Sequence, residues 1–161
     1  MARDTLKLLA RRIGARLKKR NLKLATAESC TGGWIAQAVT SVSGSSGWFD
    51  RGFVTYSNEA KKELLGVRER TLSRRGAVSR ETAEEMAAGA LARSRAQVSI
   101  AVTGVAGPTG GTAEKPVGLV FHALASESGT EIVKRNFPGD RARIRWFASQ
   151  QALDMVRRKL M

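Results

Sequence analysis

Three reactive side chains stand together in Thr26-Ala27-Glu28-Ser29-Cys30-Thr31-Gly32-Gly33: a carboxylate, a hydroxyl and a thiol. The octet lies between an apolar run, Leu22 to Ala25, and the segment Trp34-Ile35-Ala36-Gln37-Ala38-Val39. That is a pattern of strand, polar turn and helix. In open α/β sheets ligands gather beyond the carboxyl ends of the strands, and a helix start offers backbone N–H groups to an anion. The turn therefore sets candidate reactive groups beside the backbone N–H groups of Cys30, Thr31, Gly32 and Gly33, which suit an anion. The competing role for Ser29 or Thr31 is that of a helix cap.

A serine nucleophile needs a base. His122, the sole histidine, sits between Phe121 and Ala123 in a strand-like stretch, where a structural role fits better than that of a triad base. Cys30 meets the same shortage of histidine partners and reads as a buried thiol. A lysine made neutral by burial or by neighbouring cations can serve instead. Tyr56-Ser57-Asn58-Glu59-Ala60-Lys61-Lys62 follows the β-forming run Gly52-Phe53-Val54-Thr55-Tyr56. If the two strands are neighbours, Lys61 faces Ser29 across their carboxyl ends. Ser57 with Lys61, four residues apart, is an alternative pair, and a solvated surface lysine is a third reading.

A third segment is Gly104-Val105-Ala106-Gly107-Pro108-Thr109-Gly110-Gly111-Thr112, directly after an apolar strand. Gly104, Gly107 and Gly110 permit close approach of backbone to ligand, and consecutive N–H groups can cradle a phosphate or an oxyanion. The plain alternative is a long surface connection. The loop lacks the Gly-Lys-Ser/Thr ending of a phosphate-binding Walker loop and the Gly-x-Gly-x-x-Gly spacing of dinucleotide sites. The chain also has no Gly-x-Ser-x-Gly elbow.

These segments must be held by regular elements. Leu6, Leu9, Ile13 and Leu17 recur at helical spacing and predict an amphipathic helix near residues 3–19. A strand is predicted at Leu22–Ala25, a helix from Gly32 to Thr40, and a flexible loop over Ser41–Gly47. A second strand covers Gly52–Tyr56, and Asn58 is read as the cap of a helix that stops at Gly66. Arg68–Val78 reads as a basic connection. Ser79 caps the next helix, Gln97–Thr103 is a central strand, and Val117–Leu124 with Thr130–Phe137 forms a hairpin. Asp140 caps a final helix over Arg141–Lys159. The sum is one α/β domain over residues 1–161, three layers α/β/α around a mixed, mostly parallel sheet of about five strands.

Composition narrows the function. Of 161 residues 28 are Lys or Arg and 14 are Asp or Glu, a net charge of +14. Such a balance favours phosphate-bearing partners, small or polymeric. Aromatic residues make up 6% and are not interleaved with the basic clusters, which argues against a nucleic-acid stacking platform. One cysteine and one histidine exclude a disulfide framework and leave no metal site in view. No apolar run approaches the ~20 residues that span a bilayer, and Met1-Ala2-Arg3-Asp4 lacks a signal-peptide core, so no membrane partner and a cytoplasmic location are expected. Trp48, Phe49 and Trp146 are read either as core or as the interface of a homo-oligomer.

The octet, the Gly52–Lys61 segment, and Ala101-Val102-Thr103-Gly104-Val105-Ala106-Gly107-Pro108 with Glu114-Lys115-Pro116-Val117-Gly118 occur in this order. In combination they resemble the CinA carboxy-terminal domain family, over roughly residues 5 to 158. The resemblance implies hydrolysis of the carboxamide of nicotinamide mononucleotide to nicotinate mononucleotide and ammonia, without metal or organic cofactor. It places the nucleophile on Ser29, the base on Lys61 and a helper on Tyr56. Thr103, the glycine-rich loop, Arg141 and Arg145 become candidates for the substrate phosphate. Thr109 stands where the family commonly has glycine.

Overall fold

The computed structural model describes residues 2–161, with side chains from Thr5 onward; Met1 lies outside the described residues. Eleven regular elements follow in order: α1 (Ala2–Lys19), β1 (Leu24–Glu28), α2 (Trp34–Thr40), β2 (Phe49–Val54), α3 (Asn58–Leu65), α4 (Glu69–Arg75), α5 (Arg80–Ala92), β3 (Val98–Gly104), β4 (Leu119–Ser126), β5 (Gly129–Asn136) and α6 (Arg141–Lys159), with a short 3₁₀ turn at Ser45–Gly47. The strands form one sheet in the order β2-β1-β3-β4-β5. β1 runs parallel to both β2 and β3, whereas β4 is antiparallel to β3 and to β5. A single reversed strand thus makes the sheet mixed, as the hairpin in the sequence implied.

Helices cover both faces. α1, α2 and α6 close one core around Leu6, Ile13, Leu17, Ile35, Ile100 and Leu153. α5, with α3 and α4 beside it, closes the other around Leu65, Leu72, Met86 and Ala101. Each fully buried leucine or isoleucine contributes about 1.5–3 kcal/mol relative to exposure. Trp48 belongs to this interior, 3% exposed, and lies against Gly14 of α1. Phe49 and Trp146 pack against the same core. No helix among the described residues is long and apolar enough to cross a membrane.

Several predicted boundaries shift, each for a local reason. β1 is not Leu22–Ala25 but extends through Thr26, Ala27 and Glu28, all buried. As a central strand between two helical layers it shows no alternation of apolar and polar residues. β2 starts three residues before its predicted start and ends before Thr55. α2 starts at Trp34 rather than Gly32, because Gly32 and Gly33 adopt φ of +63° and +99°, outside the helical region. The cap of α3 is Ser57, which accepts from the Ala60 N–H at 3.0 Å, and Asn58 is the first helical residue. The basic connection contains a helix of its own, α4. By contrast Ser79 and Asp140 cap α5 and α6 as predicted, accepting from Thr82 and Arg143.

Candidate active site

Parallel pairing sets the site. β1 and β2 end in register, Glu28 beside Val54, and Glu28 also pairs with Val102 of β3. Beyond that line the Thr55 N–H donates to the Glu28 carbonyl at 2.9 Å and the Ser29 N–H donates to the Val102 carbonyl at 3.0 Å. Ser29 and Thr55 therefore emerge side by side at the carboxyl edge of the sheet. Ser57 then starts α3, and Lys61 sits one turn in.

The Lys61 side chain returns toward the strand ends and is 1% exposed. Its Nζ lies 2.9 Å from Ser29 Oγ, 2.9 Å from the Thr55 carbonyl and 3.2 Å from the Tyr56 carbonyl. None of these partners is a carboxylate. Burial accordingly pushes the ammonium below the usual lysine range, with only Cys30 opposing. A neutral amine has two N–H donors and one lone pair. In that form the two carbonyls would match the donors and leave the lone pair to the Ser29 hydroxyl, whereas an ammonium donates to all three oxygens. The alternative pair is not formed: the Ser57 hydroxyl is spent on its cap, and the lysine meets Ser29.

Glu28 holds the turn from behind. Its buried carboxylate accepts from the Thr31 hydroxyl at 2.7 Å, from the Ile35 N–H at 2.9 Å and from the Ala36 N–H at 3.0 Å. This strand-end carboxylate performs the capping expected of Ser29 or Thr31. The helix's own N-cap position is Gly33, which has no side chain to offer. Anions are favoured at a helix start, and burial pushes the Glu28 carboxyl up while these hydrogen bonds oppose the shift. Ser29 is thereby left free of a capping duty.

Other predicted residues divide. A cavity of about 280 Å³ is bordered by Ser29, Cys30, Tyr56, Lys61, Thr103 and Arg141, and by the glycine-rich loop through Gly104, Gly107 and Gly110. That is near the lower bound of roughly 300 Å³ for small-molecule sites. Arg141 donates to the Gly107 carbonyl at 2.7 Å and to the Tyr56 hydroxyl at 3.1 Å, tying the loop to the end of β2. The Thr103 hydroxyl donates to the Ala77 carbonyl at 2.7 Å. Among the described residues the N–H groups of Ala106, Gly107, Thr109 and Gly110 enter no backbone hydrogen bond, and that of Cys30 faces only its own thiol.

Thr31, Gly32, Gly33 and Arg145 do not border the cavity. The Gly32 N–H is spent on the Ser29 carbonyl, and the Gly33 N–H faces Glu28. Arg145 donates to the carbonyls of Cys30 and Thr31 at 3.1 and 3.0 Å and lies over the Trp34 ring. Arg145 thus braces the turn. Burial pushes the Cys30 thiol up to about 12, so it is protonated at neutral pH and no rival nucleophile. His122 is fully buried in β4, with Nε2 donating to the Ala148 carbonyl at 3.0 Å. Sequence reasoning missed Glu28 as the clamp and the Thr55 carbonyl as a lysine anchor. An acid just before a helix-starting turn was the available signal for the first; a backbone carbonyl leaves none.

A three-layer α/β/α domain with a serine–lysine pair at the carboxyl edge of its parallel strands is the class of protein defined so far. Residues 6–160 match the CinA C-terminal domain. The chain is 49% identical over 157 residues to the Escherichia coli K12 protein named nicotinamide-nucleotide amidohydrolase PncC, covering 97% of this chain and 95% of that one. It superposes with a TM-score of 0.91 on the crystal structure of the competence/damage inducible protein CihA from Agrobacterium tumefaciens, at 51% identity over 94% of this chain and 93% of that one. The competence damage-inducible protein A from Klebsiella pneumoniae gives 0.93 at 38% identity, with 96% of each chain covered. The chain belongs to the CinA C-terminal domain family.

Proposed function

We propose that this protein hydrolyses the carboxamide of nicotinamide mononucleotide, releasing ammonia and nicotinate mononucleotide, with Ser29 as nucleophile and Lys61 as base. The observation that carries the reading is the buried contact of 2.9 Å between Lys61 Nζ and Ser29 Oγ. The name of the E. coli relative supplies the substrate.

The chemistry follows from the donors and acceptors. Neutral Lys61 takes the Ser29 proton as Oγ forms a bond to the amide carbon, whose π electrons move to oxygen. The pyridinium ring withdraws electrons and favours this attack. The Cys30 N–H is the donor best placed by sequence for the oxyanion, a contribution of about 3–4 kcal/mol for one such donor. The lysine ammonium then gives its proton to the departing nitrogen, the C–N bond breaks and ammonia leaves an acyl-Ser29 ester. Water, deprotonated by Lys61, attacks that ester; the carbonyl re-forms, and Ser29 leaves as the alcohol with the proton returned. The unspent N–H groups of the loop, with Arg141 at its edge, are assigned to the phosphate.

The test is direct. Purified protein incubated with nicotinamide mononucleotide should release ammonia and nicotinate mononucleotide in equal amounts. Ser29→Ala should lower kcat by at least ~10³-fold with the fold retained. Full activity in that variant would overturn the assignment.

A further inference from the structure

The net charge is distributed in a way that the proposed reaction does not use. From Thr5 onward, α1 and α6 together carry twelve Lys or Arg against one carboxylate, Asp154. In the opposite layer, α3, α4 and α5 carry six of each sign. α1 and α6 lie side by side and run in the same direction: Arg12 and Asp154 border one cavity, and one turn on Arg16 donates to the Arg157 carbonyl. Their carboxyl ends therefore coincide, bringing Arg16, Lys18 and Lys19 beside Arg157, Arg158 and Lys159. Arg20 follows α1 and borders a shallow cavity with Lys159.

Two ordinary explanations fall short. Cations complement a helix carboxyl end, but two such ends offset only about one unit charge. Asp154 pairs with Arg157 and Arg158, and Glu127 nearby makes no ion pair among the described residues. Attraction of the substrate is the second. Yet α1 leads into the start of β1, whereas Ser29 follows its end. The five-residue strand alone separates the two by ~16 Å, about twice the Debye length of ~8 Å at physiological ionic strength.

We propose that this pole of the domain is a docking surface for the phosphate backbone of duplex nucleic acid. The cations stand on or directly after two rigid helices, and four of the seven named are arginines, whose fork matches phosphate oxygens. Met161 is the one large apolar side chain exposed at these helix ends among the described residues. No aromatic surface is offered for stacking single-stranded bases, and no apolar face for insertion into a bilayer.

The experiment titrates the full-length protein with a labelled 24-base-pair DNA duplex, the matching single strand, and vesicles containing phosphatidylserine, at several salt concentrations. About five phosphate contacts give a slope of log K against log salt near −4 to −5. The triple variant Lys19→Gln/Arg20→Gln/Lys159→Gln should lower the magnitude of that slope by about 2.7. Turnover of nicotinamide mononucleotide should remain unchanged. The proposal is overturned if the duplex does not bind at low salt, or if the triple variant keeps the wild-type slope. It is also overturned if vesicles or the single strand bind in preference to the duplex, or if turnover falls while duplex binding stays. Absence of turnover in the wild type, with duplex binding intact, would count against the proposed hydrolysis and leave this surface standing.

Discussion

Lys61 Nζ and Ser29 Oγ, from residues 32 apart in the chain, meet at 2.9 Å inside the protein. The contact depends on β1 and β2 being parallel neighbours and on α3 starting immediately after β2. Its chemical consequence rests on the protonation of the lysine. With burial holding that group below its usual 10.5 and no carboxylate bonded to it, kcat/KM should rise with pH along a limb that lies below 10.5. A pH–rate profile reads this limb, and it should vanish in Lys61→Ala, with a loss of roughly 10²–10⁴-fold.

The same lysine sets a stability signature. Its folded value lies below its unfolded one, so between the two the unfolded chain binds the extra proton and stability rises with pH. Lys61→Met lacks this term. Denaturation of both proteins between pH 7 and 10.5 should show wild type gaining on the variant as pH rises through that window. A constant difference would mean that the lysine is charged in the folded protein.

Ser57→Ala separates the two serines. It removes the cap of α3, a hydroxyl accepting from Ala60 at 3.0 Å, and should cost about 1 kcal/mol of stability. kcat should stay within a few-fold of wild type, because Ser57 is not bonded to the lysine. Ser29→Ala should do the reverse, with denaturation midpoints little changed and turnover lost.

The reach of the sequence differs element by element. α6 with its Asp140 cap and the β4–β5 hairpin were legible because local signals, a capping side chain and two β-forming runs around the Ser126–Gly129 turn, decide them. Thr26 and Glu28 misread as turn because a doubly covered strand shows no polar–apolar alternation; α2 satisfies the buried Glu28 carboxylate, whereas the buried Thr26 hydroxyl has no hydrogen-bond partner among the described residues. The Ser29–Lys61 pair was legible only as a possibility, conditional on strand adjacency. The separation of Arg141 at the cavity from Arg145 behind the turn was not legible. Both lie on the same helix, and their partners come from distant loops.

Gly89 ties α5 to the helix that carries the lysine. A Cβ there would stand 1.9 Å from the Leu65 carbonyl oxygen, which belongs to backbone and cannot rotate aside. Gly89→Ala should therefore move α3 or loosen its packing, at a cost of about 1–3 kcal/mol despite the better helix propensity of alanine. Turnover should fall with it through displacement of Lys61. Equal activity and stability in that variant would show that α3 is not held at this contact.

His122 predicts the acid limit of the fold. Burial lowers its value from 6.5 to about 4, helped by Arg135 and opposed by the Ala148 carbonyl. Because the folded value is depressed, the stability it contributes is present above 6.5 and is lost as pH falls toward 4, where the unfolded chain takes up the proton and the folded one does not. The loss is about 2 kcal/mol at pH 5 and approaches about 3 kcal/mol near pH 4, at ~1.4 kcal/mol per unit. Urea denaturation at pH 7 and pH 5 measures it directly. His122→Asn should start less stable, having lost the bond to Ala148, but its midpoint should fall less between the two pH values. A parallel fall in both proteins would assign the acid sensitivity to other groups.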